Sequence, residues 1–384
     1  MAGSIPENFW WKNITGPSAM ISAASNALSE GYSIILGVPG FTSWPEKMRE
    51  FLREEISAGG AYITIIDAGL ECPEKAGDYL IRRFDTERRY RSRLSSVQEY
   101  FMSTGLLGGH VFWLHSFRDK EQASDWVDFC SKYPSDSLST GLFIIDTESA
   151  GLQPSSRVRS VNYSDYVERY DTQIFASFLL DVEGYGRPHY TRDWKEYVSV
   201  LSAMLCGSDA ETAGALIGST DFMLDDPYDA LRTLAQDLPY RGKETGHILR
   251  LVRDYDDAAV KNRIWTAQVQ VFFPMIELER VRIIRGTEGL SEKLNTALMY
   301  KNANGSPMRQ SDGTIVLSSE ELDTGGLCYL LCGNMIHPAD NELNEYVSLL
   351  RKFRNSLAHM KPCNVDDVRE FLRYRSYYSD KLRI

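Results

Sequence analysis

Tyr32-Ser33-Ile34-Ile35-Leu36-Gly37-Val38-Pro39-Gly40-Phe41-Thr42-Ser43-Trp44 is the stretch that decides the fold. A short apolar run passes into a turn with two glycines and a proline, and Ser43-Trp44-Pro45 then opens a helix expected over 46–56. Three further apolar runs, 62–67, 110–115 and 141–146, read as strands, and helical patterns over 95–104 and 120–132 lie before and after the third. Strands of five or six apolar residues that alternate with helices predict a parallel sheet covered on both faces. A weaker fifth strand is expected over 157–163. The fold class read here is an α/β domain over 1–182 followed by an all-α region over 183–384, divided near Glu183-Gly184-Tyr185-Gly186-Arg187-Pro188.

The strand–turn–helix junction resembles the phosphate-binding loop of P-loop NTPases, in the form common in AAA+ and STAND proteins. Gly37, Pro39 and Gly40 match that form; Thr42, Ser43 and Trp44 stand where it wants Gly, Lys and Ser or Thr. Without the lysine the β and γ phosphates lose their cation, and without the following hydroxyl magnesium loses a ligand. The third strand ends on His115-Ser116 rather than on an acidic pair, which leaves Asp146 and Glu148 as the well-placed carboxylates. The resemblance implies an inactivated STAND-type module that does not hydrolyse ATP and carries no cofactor. An unrelated doubly wound domain with a glycine turn fits the same residues, as does a regulator that binds nucleotide through 37–43 without lysine.

Composition is ordinary for a globular protein, 43% hydrophobic and 25% charged over 384 residues. The net charge of −11 excludes a surface coated throughout with nucleic acid, but charge is unevenly placed. Positions 349–384 hold nine Lys or Arg against four acidic residues. A second basic run lies over 82–93, where Arg88, Arg89 and Arg91 are interleaved with aromatic residues and are candidates for a nucleic-acid backbone. Such runs are also commonly solvated surface. The six cysteines show no metal spacing, and Cys328 and Cys332, one helical turn apart in an apolar run, are expected to be buried thiols. With neither a signal peptide nor a run of about 20 apolar residues, a cytoplasmic protein away from membranes is expected.

The second half has helical periodicity. Short helices are expected over 193–205, 210–217 and 228–238, and one long helix over 245–285. That helix should bury Leu249, Val252, Ile264, Val271, Met275 and Leu278, kink at Pro274 and expose the alternating Glu277, Glu279, Arg280 and Arg282. A helix over 291–301, a strand over 313–318 and a buried run over 325–331 follow. An amphipathic helix from 342, capped by Asp340 or Asn341, then carries Arg354-Asn355-Ser356-Leu357-Ala358-His359, and Asn364 caps a last helix. Arginine offers a permanent planar fork for phosphate oxygens, and imidazole is the side chain that exchanges protons near neutrality.

Arg354 followed directly by Asn355, with His359 five residues on, resembles the signature of the HEPN superfamily. The resemblance implies a small helical bundle and a metal-independent endoribonuclease that acts as a homodimer or higher oligomer with the motifs facing each other. Arg354 would then stabilise the phosphoryl group, His359 would act as acid or base for attack by the ribose 2′-hydroxyl, and Asn355 would orient the site. Arg351, Lys352 and Lys361 are the flanking candidates for holding RNA. By analogy with such fusions the setting is bacterial anti-phage defence, with a partner protein from the same operon. A non-enzymatic interaction protein with both halves catalytically inactive is the alternative.

Overall fold

The computed structural model describes residues 4–134, 140–148, 151–310, 312–333, 335–336 and 341–382. The chain divides into two compact units. The first comprises 1–175 together with two later segments, 206–214 and 240–245; the second comprises the remainder.

The first unit opens with α1 (Ser4–Asn13) and α2 (Thr15–Ser29). There follow β1 (Ser33–Gly37), α3 (Pro45–Ala58), β2 (Tyr62–Asp67), α4 (Ala68–Glu71), α5 (Ala76–Phe84), α6 (Val97–Thr104), β3 (His110–His115), α7 (Lys120–Lys132), β4 (Leu142–Thr147), β5 (Val158–Asn162), α8 (Tyr163–Tyr166) and α9 (Arg169–Leu179), the last running past 175. All five expected strands are present, in one sheet of order β2-β3-β4-β1-β5. Every pairing is parallel, so each connection is a crossover.

β1 lies between β4 and β5 and is buried from Ser33 to Leu36, as the near-continuous apolar run requires. An aromatic cluster of Phe112, Trp126, Phe129, Tyr133 and Phe143 fills one side of the sheet. Gly37 ends β1 against β5; a Cβ there would fall 2.4 Å from Asn162 Oδ1, so a larger residue would have to displace the Asn162 side chain.

The second unit is helical: α10 (Arg192–Cys206), α11 (Ala210–Ser219), α12 (Pro227–Asp237), α13 (Ile248–Arg253), α14 (Asp257–Gly286), α15 (Leu290–Ala303), α16 (Thr324–Cys332), α17 (Asn341–Ala358) and α18 (Val365–Lys381), with the end of α10 and the start of α11 belonging to the first unit. Its core gathers the stacked Tyr346, Tyr374 and Tyr378 with Phe272, Phe353 and Phe371. Among the described residues no helix is long and apolar enough to cross a membrane.

Several expectations are corrected. The helix over 245–285 is two helices, broken at 254–256 rather than at Pro274. The amide of Asp256 bonds to Leu251 O (2.9 Å) and that of Tyr255 to Val252 O (3.3 Å), a Schellman ending with Tyr255 at φ 58°. No glycine marks this stop, so the pattern reads through it. Pro274 is carried inside α14, where Val271, Phe272, Met275 and Ile276 are buried around it. The buried stripe then continues to Glu279 and not to Leu278, which is 59% exposed. The segment 313–318 forms no strand, only an isolated bridge between Arg309 and Ile315. Cys328 is buried, but Cys332 is exposed at the end of α16. The expected cap Asp340 lies outside the described residues; Asn364 caps α18 as expected, accepting from the Asp367 amide at 2.8 Å.

Glu279 is fully buried, and it is held there by charge. Arg282 Nη1 donates to Oε1 at 2.7 Å, Tyr346 OH donates to Oε2 at 3.0 Å, and Arg375 bridges Glu279 to Asp193. Burial pushes the Glu279 carboxyl above its ordinary range while Arg375 and Arg282 pull it back. Removing one member of such a cluster strands the others in low dielectric, so Glu279→Ala should cost about 3 kcal/mol. Glu277→Ala, at an exposed i,i+3 pair with Arg280, should cost less than about 0.5 kcal/mol. Urea unfolding midpoints of the two variants compare them directly.

Candidate functional sites

The glycine turn after β1 joins strand to helix and is packed by the protein's own side chains. Pro39 O accepts the Thr42 amide (2.8 Å), and Ser43 and Thr42 are buried. Trp44, the N-cap of α3, sits at φ 46°, a region that costs a bulky residue about 1–3 kcal/mol. Three side chains hold it there. Trp11 Nε1 donates to Ser43 O (3.1 Å) and Trp44 O (3.2 Å), Glu211 Oε2 accepts the Trp44 amide (2.9 Å), and the Trp44 ring packs edge-on against Phe175.

The Glu211 carboxylate therefore takes an amide at the start of α3, the kind of donor that a helix N-terminus offers to an anion. Arg241, 5% exposed, ties it down with Nη1 on Glu211 Oε2 (2.6 Å), Nη2 on Asp209 Oδ1 (2.7 Å) and a further bond to Phe41 O (3.2 Å). Burial pushes the Glu211 carboxyl up, with Arg241 and the Trp44 amide opposing. A Cβ on Gly40 would lie 2.4 Å from Glu244 Oε1. Pro39 and Gly40 thus shape a turn filled from 209–211 and 241–244, two segments that no phosphate-loop pattern would have singled out.

The basic run over 82–93 is largely satisfied internally. Arg82 pairs with Glu74, Arg83 with Glu71 and Tyr79, and Arg89 with Glu87. Arg91 donates to Arg88 O (2.6 Å) and Tyr90 O (2.8 Å), and Arg88 is a left-handed turn residue at φ 53°. Its organiser is Asp85, buried beneath the loop, which accepts the Arg89 and Tyr90 amides (2.9 and 2.8 Å) and the Tyr100 hydroxyl (2.9 Å).

The Arg354–His359 segment ends α17. Phe353 and Leu357 are buried, whereas Arg354 and His359 are exposed and Asn355 is half-buried. The helix stops in a second Schellman motif: the Lys361 amide reaches Ser356 O (2.9 Å), the Met360 amide reaches Leu357 O (3.2 Å), and Met360 takes φ 56°. Trp265 Nε1 donates to Leu357 O at 2.7 Å. The His359 amide still bonds to Asn355 O (3.1 Å), so helical rotation persists that far. Arg354 and His359 therefore project about 140° apart, while Arg351, Asn355 and His359 form one i,i+4 row. Among the described residues the side chains of Arg351, Arg354, His359 and Lys361 have neither a hydrogen bond nor an ion pair. Lys352 is engaged, on Asp367 Oδ1 at 2.7 Å. No group of His, Cys, Asp and Glu among the described residues is arranged to hold a metal.

No family model and no curated protein matches the chain. Among solved structures it is similar to Cdc6p from Pyrobaculum aerophilum, at 14% identity over 97% of this chain and 96% of that one, with a TM-score of 0.31. It is also similar to the Drosophila ORC bound to DNA, at 12% identity over 98% of this chain and 73% of that one, with a TM-score of 0.27. At those scores the likenesses bear on no function.

Asp85 supplies a pH test. Burial raises its carboxyl, but the Tyr90 and Arg89 amides and the Tyr100 hydroxyl outweigh that, and it ionises below the ordinary aspartate range. A depressed folded value contributes stability that is present above the unfolded value of about 3.9 and is lost as pH falls through the folded one. Hydrogen-exchange protection of the Arg89 and Tyr90 amides should thus hold down to about pH 4 and vanish in stronger acid. Asp85→Asn should lose it at neutral pH.

Proposed function

We propose that the chain is a metal-independent endoribonuclease of HEPN type, fused to a P-loop-like α/β module that does not hydrolyse nucleotide and serves as sensor or docking domain. The observation that carries the reading is the end of α17, where Arg354, Asn355 and His359 are presented on a helix fixed by its Schellman ending and by Trp265, with both the cation and the imidazole unengaged.

RNA cleavage at such a site proceeds by attack of the ribose 2′-oxygen on phosphorus. The P–O2′ bond forms as the 2′-hydroxyl loses its proton, the P–O5′ bond breaks, and the leaving oxygen gains a proton. His359 exchanges protons, and Arg354 meets the charge that develops on the phosphoryl oxygens. The angle of about 140° between the two side chains favours a cleft shared by two copies, each completing the other. Arg351 and Lys361 add unpaired charge for the RNA backbone. The occupied loop at Gly37–Trp44 supports a module without ATP turnover, and the domain pairing supports a defence setting in which cleavage is held until triggered.

RNA incubated in EDTA should be cut to products with 2′,3′-cyclic phosphate and 5′-hydroxyl ends. Arg354→Ala and His359→Ala should each lose at least about 100-fold in rate. Mixing the two variants should recover part of the activity through heterodimers. Absence of cleavage, or cleavage that survives both substitutions, would sink the reading; binding of RNA without cleavage would leave an interaction module. A Gly40-dependent affinity for ATP, measured by calorimetry, would overturn the view of the loop.

A further inference from the structure

A cavity of about 780 Å³ in the first unit opens at the carboxyl ends of β3 and β4 and lies beside α3. In open α/β sheets this is the end that holds ligands. Its floor is rigid. Arg49 on α3 makes two bonds to Asp146 (2.7 and 3.2 Å), and Trp113 Nε1 donates to the same carboxylate at 3.0 Å. Glu46 closes the outer side of Arg49.

At the rim stands Ser116, the first residue after β3 in the turn that leads to α7, and it is exposed. Its φ is 55°, a left-handed value that a non-glycine residue holds only when its surroundings impose it. They do impose it. The Gly69 backbone approaches so closely that a Cβ there would sit 2.5 Å from Ser116 O. Downstream, Gln122 accepts the Arg118 amide (2.9 Å) and donates to Ala68 O and Cys72 O (2.8 Å each), while Asp119 caps α7. A strained strand-to-helix turn with its hydroxyl raised above a sheet is the geometry that exposes a nucleophilic serine.

The hydroxyl also has a base. Ser116 Oγ lies 2.8 Å from Nδ1 of His115, and with the imidazole proton on Nε2 that nitrogen accepts from the serine. Among the described residues the Phe117 amide has no hydrogen bond, which leaves a donor immediately after the nucleophile for a developing oxyanion. Arg53 also lines the cavity. Its Nε is fixed on Arg49 O (3.1 Å), and among the described residues its two Nη groups have no partner.

We propose that Ser116 and His115 form a nucleophile–base pair that hydrolyses small carboxylic esters, with Arg53 selecting an acyl group that ends in a carboxylate. Oγ bonds to the carbonyl carbon as its proton passes to Nδ1, and the oxyanion turns to the Phe117 amide. Collapse breaks the bond to the alcohol, which leaves with the proton from His115. Water then attacks the acyl-serine, gives its proton to Nδ1, and the acid departs as the proton returns to Oγ. This site is separate from the end of α17 and stands whether or not RNA is cleaved.

A fluorophosphonate probe applied to the full chain, with peptide mapping, should label Ser116. Ser116→Ala should abolish labelling at an unchanged melting temperature, and His115→Gln should slow it about 100-fold. 4-Nitrophenyl hemisuccinate should be hydrolysed in preference to 4-nitrophenyl acetate, and Arg53→Ala should erase that preference while labelling persists. Probe that fails to reach Ser116, or that labels the chain equally after Ser116→Ala, overturns the assignment.

Discussion

The first unit depends on a buried guanidinium. Arg241 is separated in sequence by some thirty residues from Asp209 and Glu211 and by two hundred from Phe41, and it binds all three. Hydrophobic burial alone would place the segments 206–214 and 240–245 only loosely. A buried charge that must satisfy its donors places them to within a hydrogen bond. Because Glu211 in turn holds the Trp44 amide, the same network sets the start of α3 and the strained N-cap above β1. Sheet, turn and later segments are thereby fastened at one point.

The sheet was legible in the sequence because its signal is local. Buried parallel strands must be apolar along their length, and 32–36, 110–115 and 141–146 largely are. The edge strand 62–67 is as apolar yet leaves Tyr62 and Ile65 exposed, so the expected cover on both faces does not extend to it. The helical unit was legible in its elements but not in its stops. Tyr255 and Met360 end helices in left-handed geometry that glycine usually marks, so the periodic pattern gave no warning at Tyr255; at Met360 the proline at 362 disfavours a continuing helix. Glu279 was hidden for a different reason. It occupies a core position of the α14 stripe, and besides its neighbour Arg282 it needs the distant Arg375 and Tyr346 to make a carboxylate tolerable there.

The candidate sites divide along the same line. Arg354, Asn355 and His359 can be named from six consecutive residues, and the structure adds their exposure and their angular separation. The arginine run over 82–93 shows the opposite outcome: residue types that suit a polyanion are mostly spent on Glu71, Glu74, Glu87 and nearby carbonyls. Charge composition cannot distinguish a cation that is free from one already neutralised by a neighbour in the fold. His115-Ser116 was visible as an oddity at a strand end, but its backbone strain and its cavity were not.

The Cβ missing at Gly40 bears on reversibility. The space it vacates is taken by the Glu244 carboxylate, and the amide at the head of α3 is taken by Glu211. Introducing a lysine and a hydroxyl at 43 and 44 would add a cation and a metal ligand to a cradle already filled by acidic side chains. A phosphate site could be built here only by emptying the cradle and refilling it together, since each single step leaves a buried charge without its counterpart. Such a cradle acts as a ratchet: with protein anions seated in it, substitutions that move the turn away from phosphate binding are tolerated far more easily than those that move it toward it.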